Sequence, residues 1–394
     1  MDKSILMVSG EESGDLHGAA LIRALKKLVP GGLNVAGMGG WRMKEEGLVG
    51  LDSREVSVVG VVEVASRLPK ILRSMSALKR QLRGERFDAV VLIDFPDFNL
   101  RIAKEARRLG VPVIYYISPQ VWAWRKGRLK KIARLVNKML VVFPFEYYIY
   151  REAGVDVEYV GHPLADTVRC DLTREEARAA LGLGESDRVV SLLPGSRTGE
   201  VKRLICPMAG AARMISEKLD GKAVFLLPAA RSIEDGLFNA ALKDGKADIR
   251  VVRGRMYEAL RASDAAVVAS GTATLETALI GTPMVIVYKM SPVSYGIARA
   301  LVNLSHAGLP NIVAEREVVP ELLQDEASPE NIAGKVLSML EGPRREEMLR
   351  GYDQIRKSLG RGGAAEKAAR AIYNLITNLD YHDYHVSPDL VRRT

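Results

Sequence analysis

Cysteine is nearly absent: the 394-residue chain has only Cys170 and Cys206, in no metal-ligand spacing. That argues against a disulfide framework and against a cysteine zinc site, and it makes a reducing compartment the default. Long apolar runs are missing as well. The first, Ile5 to Val8, stops at Ser9 and Gly10 and does not read as a secretory signal. No later stretch reaches the roughly 18 apolar residues of a membrane-spanning helix, so the chain is expected to be cytoplasmic and not integral to a membrane. Aromatic residues are only 6% of the total and recognisable nucleic-acid modules are lacking, which sets nucleic acid aside as a partner. No G-x-G-x-x-G follows a strand, since "GMGGWRM" lacks the third glycine, and no P-loop motif occurs. A D-x-D pair to hold Mg²⁺ against a diphosphate is also absent, so neither a metal nor a cofactor is expected.

What is present is a globular composition with a skewed charge. Apolar residues at 47% and charged residues at 27% supply a core and a solvated surface, and the length suits about two domains of roughly 150 residues each. The net charge of +9 is concentrated in the N-terminal half. Arg67, Lys70, Arg73, Lys79, Arg80, Arg83 and Arg86 face only Glu85 locally, and Arg125, Lys126, Arg128, Lys130, Lys131 and Arg134 face no acidic neighbour. An anionic membrane surface or a phosphorylated substrate fits that half better than nucleic acid does.

Short β-branched runs alternate with amphipathic helical stretches. Strands are expected at Ser4 to Val8, Asn34 to Gly37, Ala89 to Ile93, Val113 to Ile117, Met139 to Val142 and Val157 to Val160. A second series runs Val189 to Leu193, Ala223 to Leu227, Ile249 to Val252, Ala265 to Val268 and Met284 to Val287. Continuous apolar strands separated by helices indicate parallel sheets covered on both faces, and two such series indicate two doubly wound α/β domains. The boundaries fall at "VGHPLADTV" and "EGPRREEML": residues 1–163, 164–345, and 346–394 as helices that dock on a domain already built.

Ligands of open parallel sheets sit beyond the carboxyl ends of the strands, which selects the loops to read. In the second series "PGSRTGE" offers donors from Gly195 and Ser196 and a planar fork from Arg197, with Glu200 close behind. "ASGTATLE" opens a helix at Ser270, Gly271 and Thr272, an arrangement suited to an anion. One turn further, Glu276 is placed to accept from the two vicinal hydroxyls of a ribose. Together these loops describe a nucleoside diphosphate pocket. In the first series the corresponding loops are acidic: "SGEESGD" carries Glu11, Ser13, Gly14 and Asp15, and "IDFPDFN" carries Asp94 at the strand end with Asp97 beyond it. Asp97 or Asn99 also suits a helix cap, and His17 suits a packing role inside the following helix.

The segments "SGEESGDLHGA", "GMGGWRM", "VVGVVEV", "IDFPDFNL", "YYISPQVWAWRKGRLKKI", "FPFE", "GHPLAD", "LLPGSRTGEV", "ASGTATLE", "GTPMVIVYKM" and "LPNIVAEREVVPELLQ" occur in order from about residue 5 to residue 340. Through them the chain resembles the lipid-A-disaccharide synthase family. The resemblance implies a GT-B glycosyltransferase with two Rossmann-like domains facing a cleft. It implies inverting transfer of 2,3-diacylglucosamine from UDP to the 6-hydroxyl of 2,3-diacylglucosamine 1-phosphate (lipid X), with release of UDP in lipid A biosynthesis. Glu11 then matches the functional Glu of the GE-x-SGD motif, Asp97 the candidate base of PDF, Arg197 the phosphate-binding Arg and Asn311 the Asn of LPN. The acidic loop serves the acceptor and the second domain holds the diphosphate. Trp41, Phe95 and the tail "YHDYHVSPDLVRRT" depart from the family pattern. The C-terminal helices are expected on an N-terminal domain, either the chain's own or that of a partner in a homodimer.

Leu68, Ile71, Leu72, Met75, Leu78 and Leu82 recur at helical spacing among basic residues. One reading buries this stripe on the first sheet. With acylated substrates implied, the other is the expectation here: Leu68, Ile71, Leu72 and Met75 face solvent and dock peripherally on the cytoplasmic leaflet of the inner membrane. Three rival functions share parts of the pattern, namely a UDP-GlcNAc 2-epimerase, a membrane-binding module and a non-catalytic sugar-nucleotide sensor.

Overall fold

The computed structural model describes residues 2–55, 61–119, 121, 127–230, 233–238, 247–291, 295 and 306–382. Arg125 and Lys126, with the "WAW" of the segment before them, lie outside those residues, as does most of the tail. The chain divides into two compact units, Met1–Pro163 with Gly362–Thr394, and Leu164–Arg361.

The first unit is built on a seven-stranded sheet of order β3-β2-β1-β4-β5-β6-β7. Its strands are β1 (Lys3–Ser9), β2 (Leu33–Gly39), β3 (Leu48–Asp52), β4 (Ala89–Ile93), β5 (Val113–Tyr116), β6 (Lys138–Val141) and β7 (Val157–Tyr159). The second unit has a six-stranded sheet of order β10-β9-β8-β11-β12-β13. Here the strands are β8 (Arg188–Leu193), β9 (Ala223–Ala229), β10 (Asp248–Arg253), β11 (Ala265–Ala269), β12 (Met284–Tyr288) and β13 (Glu321–Leu323). Every pairing is parallel, and central strands such as β4 and β11 are buried along their whole length. Both sheets reverse their winding once, between β1 and β4 and between β8 and β11. The loops that leave those strands diverge to opposite faces, so each sheet opens a crevice at that point. The acidic loops flank one such crevice and the PGSR and SGT loops the other.

Two strands escape the apolar pattern. β3 is an edge strand whose Val49 and Gly50 are exposed, and β13 is a three-residue edge strand with only Leu322 buried. β3 is interrupted by Gly50 and the exposed Val49, and β13 has only three residues, so neither carries a continuous apolar run.

The apolar stripe divides along its helix, Val61–Gly84. Met75, Leu78 and Leu82 are buried in the first unit's core and Ile71 packs against it, while Leu68 and Leu72 are 47% and 51% exposed. The expectation of four solvent-facing residues is therefore corrected to Leu68 and Leu72. Val90, Leu92 and Phe98 belong to the same apolar cluster as Met75. Among the described residues no helix is long and apolar enough to cross a membrane.

The C-terminal helices also part company. Pro343–Ser358 stays on the second unit because Met348, Tyr352 and Ile355 make a buried stripe at helical spacing, and Gly351 lies so close to Val318 that a Cβ would meet it at 2.3 Å. Only Ala364–His382 returns to the first unit. There it packs on the helix Glu12–Leu28 of the same chain, and Lys3 Nζ donates to the Ile376 carbonyl at 3.4 Å.

Truncating Met75 removes buried methylenes, so Met75→Ala should lower unfolding free energy by roughly 2–5 kcal/mol, whereas Leu72→Ser should change it by no more than about 0.5 kcal/mol. Urea denaturation of the two variants measures both, and equal losses would place Leu72 in the core as well.

Candidate active site

The second unit contains a pocket of about 690 Å³ lined by the carboxyl-end loops of its sheet. After β8 the chain turns at Gly195, whose φ of +113° and a Cβ position 2.4 Å from Glu200 Oε2 leave room for glycine alone. Arg197 follows with its guanidinium more than half exposed and 3.3 Å from Glu200 Oε1, and Thr198 begins a 21-residue helix. After β11, Gly271 at φ +153° admits the chain to the helix Thr272–Ile280. Gly195, Ser196, Arg197, Glu200, Ser270, Gly271, Thr272 and Glu276 all line this one pocket.

The loop after β10 adds residues that the motif reading passed over. Tyr257 donates its hydroxyl to Glu276 Oε1 at 2.7 Å. Burial raises the Glu276 carboxyl above its ordinary value, while the Tyr257 bond pulls the other way. The phenol in turn is raised by burial and then by the Glu276 charge. The signal available in the sequence was the position of "RGRMYEAL" at a third strand end of the same sheet. Chemically the pocket offers an arginine fork, the amino end of the helix Thr272–Ile280 and a half-buried carboxylate, a set that fits a diphosphate at one end and vicinal hydroxyls at the other.

Two residues expected in this pocket have other employment. The Ser270 hydroxyl donates to the Ala307 carbonyl at 2.9 Å, so it tethers the helix start and has no proton left for a phosphate. Asn311 is fully buried. Its Nδ2 donates to Val319 O and Glu321 Oε1, both at 2.7 Å, and its Oδ1 accepts from the amides of Val318 and Val319 at 2.7 and 2.9 Å. With every bonding position filled inside the fold, Asn311 anchors the LPN loop.

In the first unit the loops after β1 and β4 meet. Asp94 and Phe95 are consecutive left-handed residues, at φ +45° and +50°, a conformation that non-glycine residues rarely adopt. The turn is clamped: the Asp94 carbonyl accepts from Tyr115 Oη at 2.6 Å and from Asn99 Nδ2 at 2.7 Å. The Phe95 ring lies on Gly10, where a Cβ would come within 2.3 Å of it. Asp94 is half-buried. Burial, and then the charge of Glu11, raise its carboxyl to about 6, against the pull of the Phe95 amide.

The other acidic residues sort by their surroundings. Asp97, the expected base, begins the helix Pro96–Arg108 with its side chain 70% exposed and paired to Arg128. Glu11 is exposed at the end of the loop, and Ser13, expected on it, is exposed in the first turn of the helix Glu12–Leu28. Gly14 is buried where a Cβ would meet Ser9 Oγ at 2.4 Å. Asp15 is buried in the first turn of the helix Glu12–Leu28 and accepts from the amides of Arg42 and Met43 at 3.2 and 3.0 Å, so it ties the helix Trp41–Glu45 to that turn. His17 lies inside its helix, lowered by burial to about 4, next to His162, lowered by burial and then by His17 to about 3. Both imidazoles are neutral at neutral pH and fill packing roles.

Residues 5–373 match the family described as lipid-A-disaccharide synthetase. The lipid-A-disaccharide synthase of Syntrophus aciditrophicus is 48% identical over 383 residues, covering 96% of this chain and 99% of that protein. That of Geobacter sulfurreducens is 46% identical over 374 residues, covering 94% and 97%. Among solved structures, the UDP-GlcNAc 2-epimerase of Neisseria meningitidis, bound to UDP-GlcNAc, superposes with a TM-score of 0.62 at 12% identity, covering 95% of this chain and all of that one. At that identity the likeness concerns the fold alone.

Only the ionised Glu276 accepts from two hydroxyls. Because its carboxyl is raised, it takes up its proton at a higher pH than an ordinary glutamate, so UDP affinity should weaken on acidification before the pH reaches the usual carboxylate range. Calorimetric titration across pH measures this, and Glu276→Gln should remove the step. An identical pH dependence in that variant would place the titrating group elsewhere.

Proposed function

The chain belongs to the lipid-A-disaccharide synthetase family and is a glycosyltransferase of lipid A biosynthesis, and from that premise we propose how its residues divide the reaction. The donor is UDP-2,3-diacylglucosamine and the acceptor is lipid X. The 6-hydroxyl oxygen of the acceptor attacks the anomeric carbon with inversion, the bond to the β-phosphate oxygen breaks, and the hydroxyl proton passes to a carboxylate. The products are the β-1,6 disaccharide and UDP. An epimerase needs no acceptor hydroxyl, and the fold likeness at 12% identity gives no reason to prefer that reaction.

The second unit is the donor side. Negative charge grows on the departing diphosphate, where the Arg197 fork and the first-turn N–H groups of the helix Thr272–Ile280 stabilise it. Glu276 and its Tyr257 partner take the ribose hydroxyls. The convergence of these groups on one pocket is the observation that carries the reading.

The first unit is the acceptor side, with Asp94 in place of Asp97 as proton acceptor. Asp97 is exposed and paired with Arg128, so its carboxylate is already engaged by a cation. Asp94 is drawn inward, faces the charge of Glu11 and titrates at about 6, close to the operating range that general-base catalysis favours. Glu11 raises the basicity of Asp94, and Ser13 beside it is free to bind the acceptor sugar.

Lipid substrates arrive from a bilayer, and the exposed large apolar residues suit the first unit to that surface. Leu16, Trp41, Val49, Leu68, Leu72, Leu109 and Tyr148 belong to it, against Val251 alone in the second unit, among the described residues. Leu68 and Leu72, with exposed Lys70 and Arg73 between and beside them, form the proposed contact with an anionic leaflet at the inner membrane.

Asp94→Asn should lower kcat by roughly 10² to 10⁴ with UDP affinity retained, and Asp97→Asn should cost clearly less. In the wild type the rate should fall as pH drops through about 6, since protonation removes the base. Steady-state rates against pH settle it: a larger loss in the Asp97 variant would return the role to that residue. Sedimentation with anionic vesicles tests the membrane contact, where Leu68→Ser with Leu72→Ser should reduce binding while circular dichroism stays unchanged. Undiminished sedimentation would remove these two residues from the contact.

A further inference from the structure

Glu321 opens β13 and does not line the pocket, yet its carboxylate gathers a cluster of donors from the segment that runs past it. Oε2 accepts from the Ala307 amide at 2.7 Å, and Oε1 accepts from the Gly308 amide at 2.9 Å and from Asn311 Nδ2 at 2.7 Å. Hydrogen bonds to an ionised acceptor are shorter and stronger than neutral ones. The backbone is also confined sterically at this point, because a Cβ on Gly308 would lie 2.3 Å from Ile286 Cδ1. Ala307 is thus held from its amide side by Glu321, and its carbonyl receives the Ser270 hydroxyl at 2.9 Å. Ser270 in turn is fixed by its own amide, which donates to Val287 O at 2.9 Å, and it stands directly before Gly271 at the start of the helix Thr272–Ile280.

We propose that Glu321 is a positioning residue of the donor pocket: through Ala307 and Ser270 it sets where the helix start presents its N–H groups to the diphosphate. The inference rests on the reading of that pocket as a UDP site. A carboxylate with three donors cannot be replaced by an amide without placing an N–H against an N–H, so Glu321→Gln releases Ala307 or Gly308 and lets the Ser270 turn shift. The lesion is local to the phosphate end, since Glu276 stands a turn further into the same helix and is held there by Tyr257 of the helix Met256–Ala262 at 2.7 Å.

Binding of UDP and of uridine to the full chain, followed by ligand-observed NMR and calorimetry, separates positioning from general support of the fold. Glu321→Gln should weaken UDP about tenfold and leave uridine unchanged. Ser270→Ala should do the same, and the double variant should lose no more than either single one, because both act through one link. Equal losses for UDP and uridine, unchanged UDP affinity, or additive losses overturn the proposal. If Glu321→Gln does not fold, Ser270→Ala alone decides by the same selectivity for UDP over uridine. A wild type that binds neither ligand overturns the UDP reading and this inference with it, whereas a wild type that binds UDP beside unaffected variants overturns this inference only.

Discussion

A parallel strand covered by helices on both faces has no place for a polar side chain along its length, so its chemistry is displaced to the loop beyond its carboxyl end. β4 and β11 are buried from first residue to last, and the residues that follow them, Asp94 and Ser270, are the first polar groups the chain can present. The winding reversal at β1/β4 and at β8/β11 then decides which of these loops stand apart far enough to admit a ligand. Everything chemical in this molecule hangs on that constraint. One crevice receives carboxylates and the other receives an arginine and a helix start, and neither arrangement depends on the composition of the sheet beneath it.

Within each crevice, bonding capacity separates ligand contacts from supports. Asp15, Asp94 and Asp97 are the same side chain within or beside two motifs, but they do three different things. Asp15 spends its oxygens on the amides of Arg42 and Met43, Asp97 is matched to Arg128, and Asp94 keeps its carboxyl near a like charge in a poorly solvated position. A like charge and burial both disfavour the ionised form, which is why Asp94 is the base proposed above. In the second unit Asn311 and Ser270 sit in motifs that resemble ligand contacts, and both have their side-chain donors committed to carbonyls or to Glu321.

Both sheets were legible in the sequence because apolar runs of strand length leave little else to predict, and the strand ends pointed to the pocket loops after β8 and β11 but not to the lining residues after β9 and β10. The edge strands β3 and β13 were not, since half-exposed strands carry no continuous run. Asp97 was preferred over Asp94 because it matches the candidate base of the PDF motif and stands on the same sheet edge as Glu11, Ser13 and Asp15. No propensity scale anticipates two left-handed non-glycine residues in succession, as at Asp94 and Phe95. Met75 has the same character as Leu72 in the sequence. Helical spacing marks a face but not its edges, and here the buried face, carrying Met75, Leu78 and Leu82, meets the sheet while Leu68 and Leu72 fall beyond it.

The left-handed pair at Asp94 and Phe95 has a cost of its own, on the order of 1–3 kcal/mol for each residue. Two side-chain donors converge on the Asp94 carbonyl from β5 and from the following helix, and the Phe95 ring occupies the space that Gly10 leaves empty. Each of those contacts comes from the folded interior, so the fold itself meets the strain and sets the position of the Asp94 carboxyl. The donor pocket is arranged in the same manner, with Glu321, Ala307 and Ser270 holding the helix start from behind. In both units buried polar groups fix the backbone so that exposed ones are already oriented, which spares the reaction the reorganisation that a mobile loop would require.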